Sequence, residues 1–180
     1  YRKAWRILKR MENVGGDLNA YTNKEETVVY SAFLTAHFAR AVDLLSDIVF
    51  HSLYPENEIA KYAEVILDEF RSYEDNPAEL IFDDYEDMLF LNHPLGHNIL
   101  GDPALLKGFR KEDFIAFSSR YYIPSNMVFF VWGNINFKKV IYHVEKAVKD
   151  IPNTPYTNER TPPPPYVPEN LVIQKDTSQT

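Results

Sequence analysis

Leu18-Asn19-Ala20-Tyr21-Thr22, followed after the polar turn Lys24-Glu25-Glu26 by the run from Thr27 to Leu34, is the stretch on which the reading of the fold turns. Both runs are rich in Tyr, Thr and Val, which suit a pleated, half-buried surface, so residues 18–23 and 27–34 read as two strands joined by a hairpin. Upstream, Ala4, Trp5, Leu8 and Met11 recur at three and four residues. That helical pattern stops at Gly15-Gly16, which can take the left-handed cap conformation. Downstream, Phe38, Ala41, Val42, Leu45 and Val49 define one face of a second helix. Pro55 can open a third, striped by Ile59, Tyr62, Ala63, Ile66, Leu67 and Phe70. A fourth has Asn76 as N-cap, Pro77 at its first position and Glu79 in the capping-box position, with Ile81, Phe82, Tyr85 and Leu89 along one side. A Pro/Gly loop from His93 to Pro103 precedes a helix over 111–121 and the apolar run Met127 to Trp132, read as a strand buried on both faces. The last helix is capped by Asn136 and buries Val140, Ile141, Val144 and Val148. Strand pairs with helices gathered between them give an α+β fold, a layered sheet with helices packed on it.

Composition narrows the functional classes. The 180 residues are 45% hydrophobic and 25% charged, with a formal charge of −7 and no cysteine. This is the profile of a soluble globular protein, and the cytoplasm is the favoured compartment, although redox chemistry gives no information on it. No apolar run approaches the roughly 20 residues of a membrane span. The negative charge disfavours nucleic acid, whose binding depends on clustered cations. The one basic stretch, Arg2, Lys3, Arg6, Lys9 and Arg10, reads as the solvated face of the first helix. Without thiolates, any metal must be held by His, Asp or Glu.

Both ends read as cut. Tyr1 enters an uncapped helical pattern, and the proline-rich run Thr161 to Pro168 forms a stiff connector before a strand-like run, Leu171 to Gln174. Residues 1–153 are therefore expected to form one truncated domain, and 154–180 a linker with the start of another.

Candidate chemistry is sparse. His93 and His97 have the four-residue spacing of paired metal ligands, but Pro94 and Gly96 between them argue against a helix there. His37, His51 and His143 lie in helical patterns without a ligand partner nearby, and structural or surface roles are expected. On the third helix, at about 100° per residue, Glu64 and Asp68 point away from the apolar stripe, whereas Glu69 falls on its edge, in line with Tyr62 two turns earlier. A carboxylate in that position needs a partner, which is either a Lys or Arg or a metal ion.

Taken in order, Gly15-Gly16 with Asn19-Ala20-Tyr21-Thr22, then Val65-Ile66-Leu67-Asp68-Glu69 with Tyr73-Glu74-Asp75-Asn76-Pro77, then His93-Pro94-Leu95-Gly96, and Tyr122 with Pro124 before Gly133, resemble the inverzincin zinc peptidases. This is the insulinase, pitrilysin and mitochondrial-processing-peptidase family, peptidase family M16. The resemblance covers nearly the whole chain and identifies it with the first half-domain and the opening of the linker to the second. It implies a zinc-dependent metalloendopeptidase hydrolysing extended peptides. In the family a helix carrying His-x-x-Glu-His supplies two histidine ligands and the general-base glutamate, and a glutamate about seventy-five residues later supplies the third ligand.

Glu69 occupies that later position, and the same spacing places the absent motif about ten residues before Tyr1. The resemblance assigns no catalytic residue to this chain, Glu69 to the metal, and Asn19 and Ala20 to main-chain binding of an extended substrate. One zinc ion is expected in the complete protein and none at a catalytic site in this chain alone. The expected partners are a peptide substrate and a second related half-domain, in the same chain or in a homo- or heterodimer. Active members usually carry a second acidic residue seven positions before the ligand glutamate. Here that position is Tyr62, a candidate modifier of the site, neutral near pH 7. A non-catalytic companion subunit that binds peptide and assembles with an active partner is the alternative.

Overall fold

In the computed structural model, residues 4–74, 76–157, 160–166, 168, 170, 172 and 174 are described. They divide into two compact units: residues 1–53 with 112–157, and residues 54–111 with 158–180.

The first unit begins with α1 (Ala4–Glu12). It stops where Gly15 adopts φ +69° and the amides of Gly15 and Gly16 donate to the carbonyls of Glu12 and Met11, the expected glycine cap. The chain then forms the hairpin of β1 (Asp17–Thr22) and β2 (Thr27–Ala32), antiparallel with Asn19 opposite Tyr30 and Ala20 opposite Val29. The Asn23 side chain builds the turn by accepting from the Glu25 and Glu26 amides, both at 2.9 Å. The helix α2 (Phe38–Phe50) packs on the hairpin and on α1, and meets α7 (Phe137–Val148). Asn136 caps α7 by accepting from the Lys138 amide at 2.9 Å, as its sequence suggests. Met11, Ala41 and Leu44 form one buried cluster, with Leu18 and Phe33 against it. Phe38, Val42 and Val140 form another, flanked by Val131 and Val144. The α+β architecture is thus the one expected, a small antiparallel sheet with helices packed on it.

Several details differ. Leu44, absent from the expected face of α2, is fully buried, because Met11 and Ile7 of α1 together with Leu18 and Phe33 cover a second side of the helix. On α7, Ile141 is exposed while Val140 is buried. Arg10 leaves the solvated basic face: its guanidinium pairs with Asp43 of α2 at 2.7 Å. Arg6 and Lys9 instead lie over the Trp5 ring, 5.2 and 5.7 Å from its centroid. Arg2 and Lys3 lie outside the described residues.

The largest correction concerns 127–132. Met127 enters this segment with extended backbone, but the segment forms no strand among the described residues. Val131 faces a core cluster, while Val128 and Trp132 are 94% and 91% exposed. An apolar run supplies the conformation of a strand, but a ladder needs a neighbouring strand, and none among the described residues lies beside this one.

The second unit contains α3 (Glu56–Glu74), α4 (Pro77–Leu89), the short α5 (Pro103–Leu106) and the first residue of α6 (Lys111–Tyr121), whose remainder belongs to the first unit. Helix α3 packs on α4 and α5. Helix α4 starts at Pro77 as expected, but Asn76 makes no side-chain cap, and its own amide donates to the Tyr73 carbonyl at 3.0 Å. That bond removes the donor a capping-box Glu79 would use. The expected apolar side of α4 is uncovered: Ile81 is 62% and Phe82 69% exposed. Within the expected Pro/Gly loop, Asp102 caps α5 by accepting from the Ala104 amide at 2.7 Å, an Asp-Pro start signal not read from the sequence. The proposed strand-like run 171–174 falls largely outside the described residues.

Candidate functional site

On α3, a 19-residue helix, the three acidic residues near its centre differ in their partners. Glu64 meets the Lys107 ammonium at 3.3 Å, and Asp68 meets the Arg71 guanidinium at 2.8 Å. Glu69 is exposed, and no hydrogen bond or ion pair with a described residue engages it. Arg71 and Lys107 are engaged by its neighbours Asp68 and Glu64 instead. An unengaged carboxylate on a regular helix is an oxygen donor of the kind zinc accepts. The described residues supply no group of three His, Asp or Glu able to hold a metal. Glu69 therefore fits as one donor to a site that needs others.

Tyr62 stands seven residues before Glu69, about 10 Å along the helix and on the same face. Its side chain is 60% exposed rather than covered with the apolar stripe, of which Leu67 is the buried member. The stripe is less covered than its periodicity suggests because α4 and α5 touch only part of α3. A cavity of about 230 Å³ in this unit lies between α3 and the residues around α5, lined by Ile59, Ala63, Glu64, Leu106 and Lys107. Glu69 does not line it.

Tyr73, at the end of α3, has its phenol pKa raised by burial and then by the carboxylates of Asp83, Glu79 and Glu86. Helix α4 thus turns an acidic face towards the end of α3. Asp83 also accepts from the Asn98 side chain at 3.0 Å.

Asn19 and Ala20 sit on β1 in the other unit. The turn is closed by the Asn23 amide donating to the Glu26 carbonyl, and the alternation of an antiparallel pair then points the main-chain groups of Ala20 away from β2. That outward amide is not bare: the Asn19 Oδ1 accepts from it at 2.8 Å. No residue spacing signals this self-capping, which requires a particular side-chain rotamer. Beside them, Tyr21 and Tyr30 pack edge to face, with centroids 6.2 Å apart.

Three of the histidines make local contacts. His51 lies 3.7 Å from Asp47, and His143 packs edge-on to Phe38 at 5.8 Å. His93 hydrogen-bonds through both ring nitrogens, and the segment to His97 is a short 3₁₀ turn rather than an α-helix.

Comparisons with known proteins bear on the family and the fold. Residues 1–103 match the family model described as insulinase (peptidase family M16), and 108–180 match that of the peptidase M16 inactive domain. An uncharacterized zinc protease of Rickettsia felis is 34% identical over 179 residues, covering 99% of this chain and 43% of the relative. The β subunit of the mitochondrial-processing peptidase of Saccharomyces cerevisiae is 29% identical, over 97% of this chain and 38% of its own length. Among solved structures, a peptidase M16 inactive domain from Pseudomonas fluorescens superposes with a TM-score of 0.80 at 19% identity, over 91% of this chain and 40% of that one. A protease from Helicobacter pylori superposes with a TM-score of 0.76 at 22% identity, over 91% and 39%. The chain spans about two-fifths of the length of these relatives. It carries the fold and the sequence pattern of one group, and it belongs to the insulinase family of zinc peptidases, peptidase family M16.

Proposed function

We propose that the complete protein is a zinc-dependent metalloendopeptidase that hydrolyses extended peptides, with Glu69 as the third protein ligand of the metal. The observation that carries this reading is the contrast on α3, where Glu64 and Asp68 are ion-paired and Glu69 has no such partner among the described residues. Glu69 would complete a set with two histidines of a His-x-x-Glu-His motif in sequence preceding Tyr1, whose glutamate would serve as general base. Zinc bound there would supply Lewis-acid chemistry, acidifying water and polarising the scissile carbonyl. The chain's own part in substrate binding is the edge of β1. An extended peptide would add to it as a strand, its carbonyl displacing the Asn19 Oδ1 from the Ala20 amide. Asn19 thereby shields an open edge donor until substrate replaces it.

The test is Glu69→Gln in the complete protein, which keeps the shape but weakens the donor. Zinc content and peptide hydrolysis should both fall, hydrolysis by about a hundredfold or more, since even residues supporting a ligand are worth up to about that factor. An unchanged rate would remove Glu69 from the mechanism. For the 180-residue chain alone, neither catalytic zinc binding nor cleavage is expected. Stoichiometric zinc bound through Glu69 would refute this.

Tyr62 favours a second reading. A phenol stands where active members of the family usually carry an acidic residue, as expected for a companion subunit that binds peptide without cleaving it and assembles with an active partner. The sequence preceding Tyr1 discriminates: an intact His-x-x-Glu-His supports the peptidase, a degenerate one the companion. Under either reading the partner is a second related half-domain, in the same chain or in another subunit. Among the described residues no helix is long and apolar enough to cross a membrane.

A further inference from the structure

We propose that His93 is a clasp that seats the proline run 162–165 on the second unit and fixes the direction in which it leaves. Its ring makes two hydrogen bonds of opposite kind. The Leu95 amide donates to Nδ1 at 3.2 Å, and Nε2 lies 3.0 Å from the carbonyl oxygen of Thr161, 68 residues away in sequence. A carbonyl only accepts, so Nε2 carries the proton, and the amide bond to Nδ1 requires that nitrogen to be bare. The two bonds select the same tautomer, the neutral ring protonated at Nε2.

The platform that holds the ring is built for close tolerance. Asn92 takes φ +58°, the left-handed region, and turns the chain out of α4. The His93 amide donates to the Phe90 carbonyl at 2.8 Å, and the Gly96 amide to the His93 carbonyl at 2.9 Å. Gly96 is buried so tightly that an added Cβ would stand 2.9 Å from the Phe90 carbonyl oxygen and 3.2 Å from the Asp87 Cα. The Phe90 ring packs beside the imidazole with centroids 6.4 Å apart. The ring is therefore aimed by backbone on one side and by an aromatic on the other.

What it grips is the last carbonyl before Pro162-Pro163-Pro164-Pro165. Prolines have no N–H, so such a run can be tied to a protein surface only through its carbonyls or by packing. A residue preceding proline is confined to extended conformations, so Thr161 passes directly into the run. Four prolines in polyproline geometry make a stiff rod of about 12 Å. Fixing the carbonyl at its start fixes its origin and heading, which a flexible linker would leave open.

The test uses the 180-residue chain. In the unmodified protein, ¹⁵N shifts of the imidazole should show Nε2 protonated and Nδ1 bare; the opposite tautomer would overturn the proposal. Two variants then separate the clasp from simple support of the turn. In His93→Asn the side-chain oxygen can still accept from the Leu95 amide but cannot reach Thr161, whereas His93→Ala loses both bonds. Tryptic cleavage at Arg160–Thr161, referenced to Lys149–Asp150 in the same digest, should rise about fivefold in both, the change in open population that one ordinary hydrogen bond supports. Hydrogen exchange of the Leu95 amide should accelerate in His93→Ala and not in His93→Asn. Wild-type cleavage at Arg160–Thr161 in a folded His93→Asn would show that His93 supports only its own turn.

Discussion

The two units are held together by different means. In the first, Met11, Phe38, Ala41, Val42, Leu44, Ile123 and Val140 are buried, and the hairpin is mounted on them. In the second, Leu67 is the buried large hydrophobe among the described residues, and the connections after α4 depend on local devices: His93 on the Leu95 amide, Asn98 on Asp83, Asp102 on the Ala104 amide, and the close approach at Gly96. Apolar burial contributes roughly 25 cal/mol per Å² of surface removed from water, whereas each cap or side-chain hydrogen bond is worth about 1 kcal/mol net. The strand that carries Asn19 and Ala20 therefore rests on the firmer base, and the helix that carries Glu69 on the softer one. In the metal role proposed for it, Glu69 would have freedom to adjust on such a softly held helix.

This contrast can be broken at its strongest point. Leu44→Ala should destabilise the first unit by about 3 kcal/mol, through lost transfer energy and a cavity that the surrounding Met11, Ile7, Leu18 and Phe33 cannot fully collapse. Leu67→Ala should cost clearly less when both are followed by urea unfolding. An equal or larger loss at Leu67 would show that the second unit has an apolar core of comparable weight.

Gly96→Ala is the next in size. Forcing a Cβ to 2.9 Å from a carbonyl oxygen should cost about 2 kcal/mol and act on the second unit, seen as faster hydrogen exchange in α4 but not in α2. Cap removal should be smaller. Asp102→Ala and Asn136→Ala should each cost about 1 kcal/mol, with Asp102→Ala loosening α5 and Asn136→Ala loosening α7. If Asp102→Ala proves silent, the second unit does not depend on its caps.

The smallest effect is a titration. Because the Tyr73 phenol keeps its proton more firmly in the fold than in the unfolded chain, its contribution to stability is complete below the ordinary phenol value of about 10 and is lost as pH rises above it. Ultraviolet titration should show Tyr73 ionising later than a free tyrosine. Asp83→Asn should bring the midpoint down; an unmoved midpoint would mean that α4 does not present its acidic face to Tyr73.

Local chemistry made much of the fold legible. Gly15 stops α1 because glycine tolerates positive φ, Pro77 opens α4 because its missing N–H is not needed there, and Asn136 starts α7 because its side chain reaches the Lys138 amide. Helix α6 spans 111–121 as its pattern suggests. The candidate site was legible only by resemblance. Spacing put Glu69 near the apolar stripe, but periodicity cannot say which carboxylates find a cation, and Lys107, which takes Glu64, comes from a distant part of the chain.

The sequence by itself determined the elements, their order and their ends, because propensities, caps and turns act within a few residues. It also carried the pattern that places the chain among the M16 peptidases. Only the tertiary structure decided which apolar faces are covered. An amphipathic stripe offers a face, but burial needs a neighbour, and Ile81, Phe82 and the outer side of 127–132 have none among the described residues. The same holds for polar groups: Asn19 closing the Ala20 amide and His93 holding the Thr161 carbonyl depend on distance and direction, which no spacing in the chain encodes.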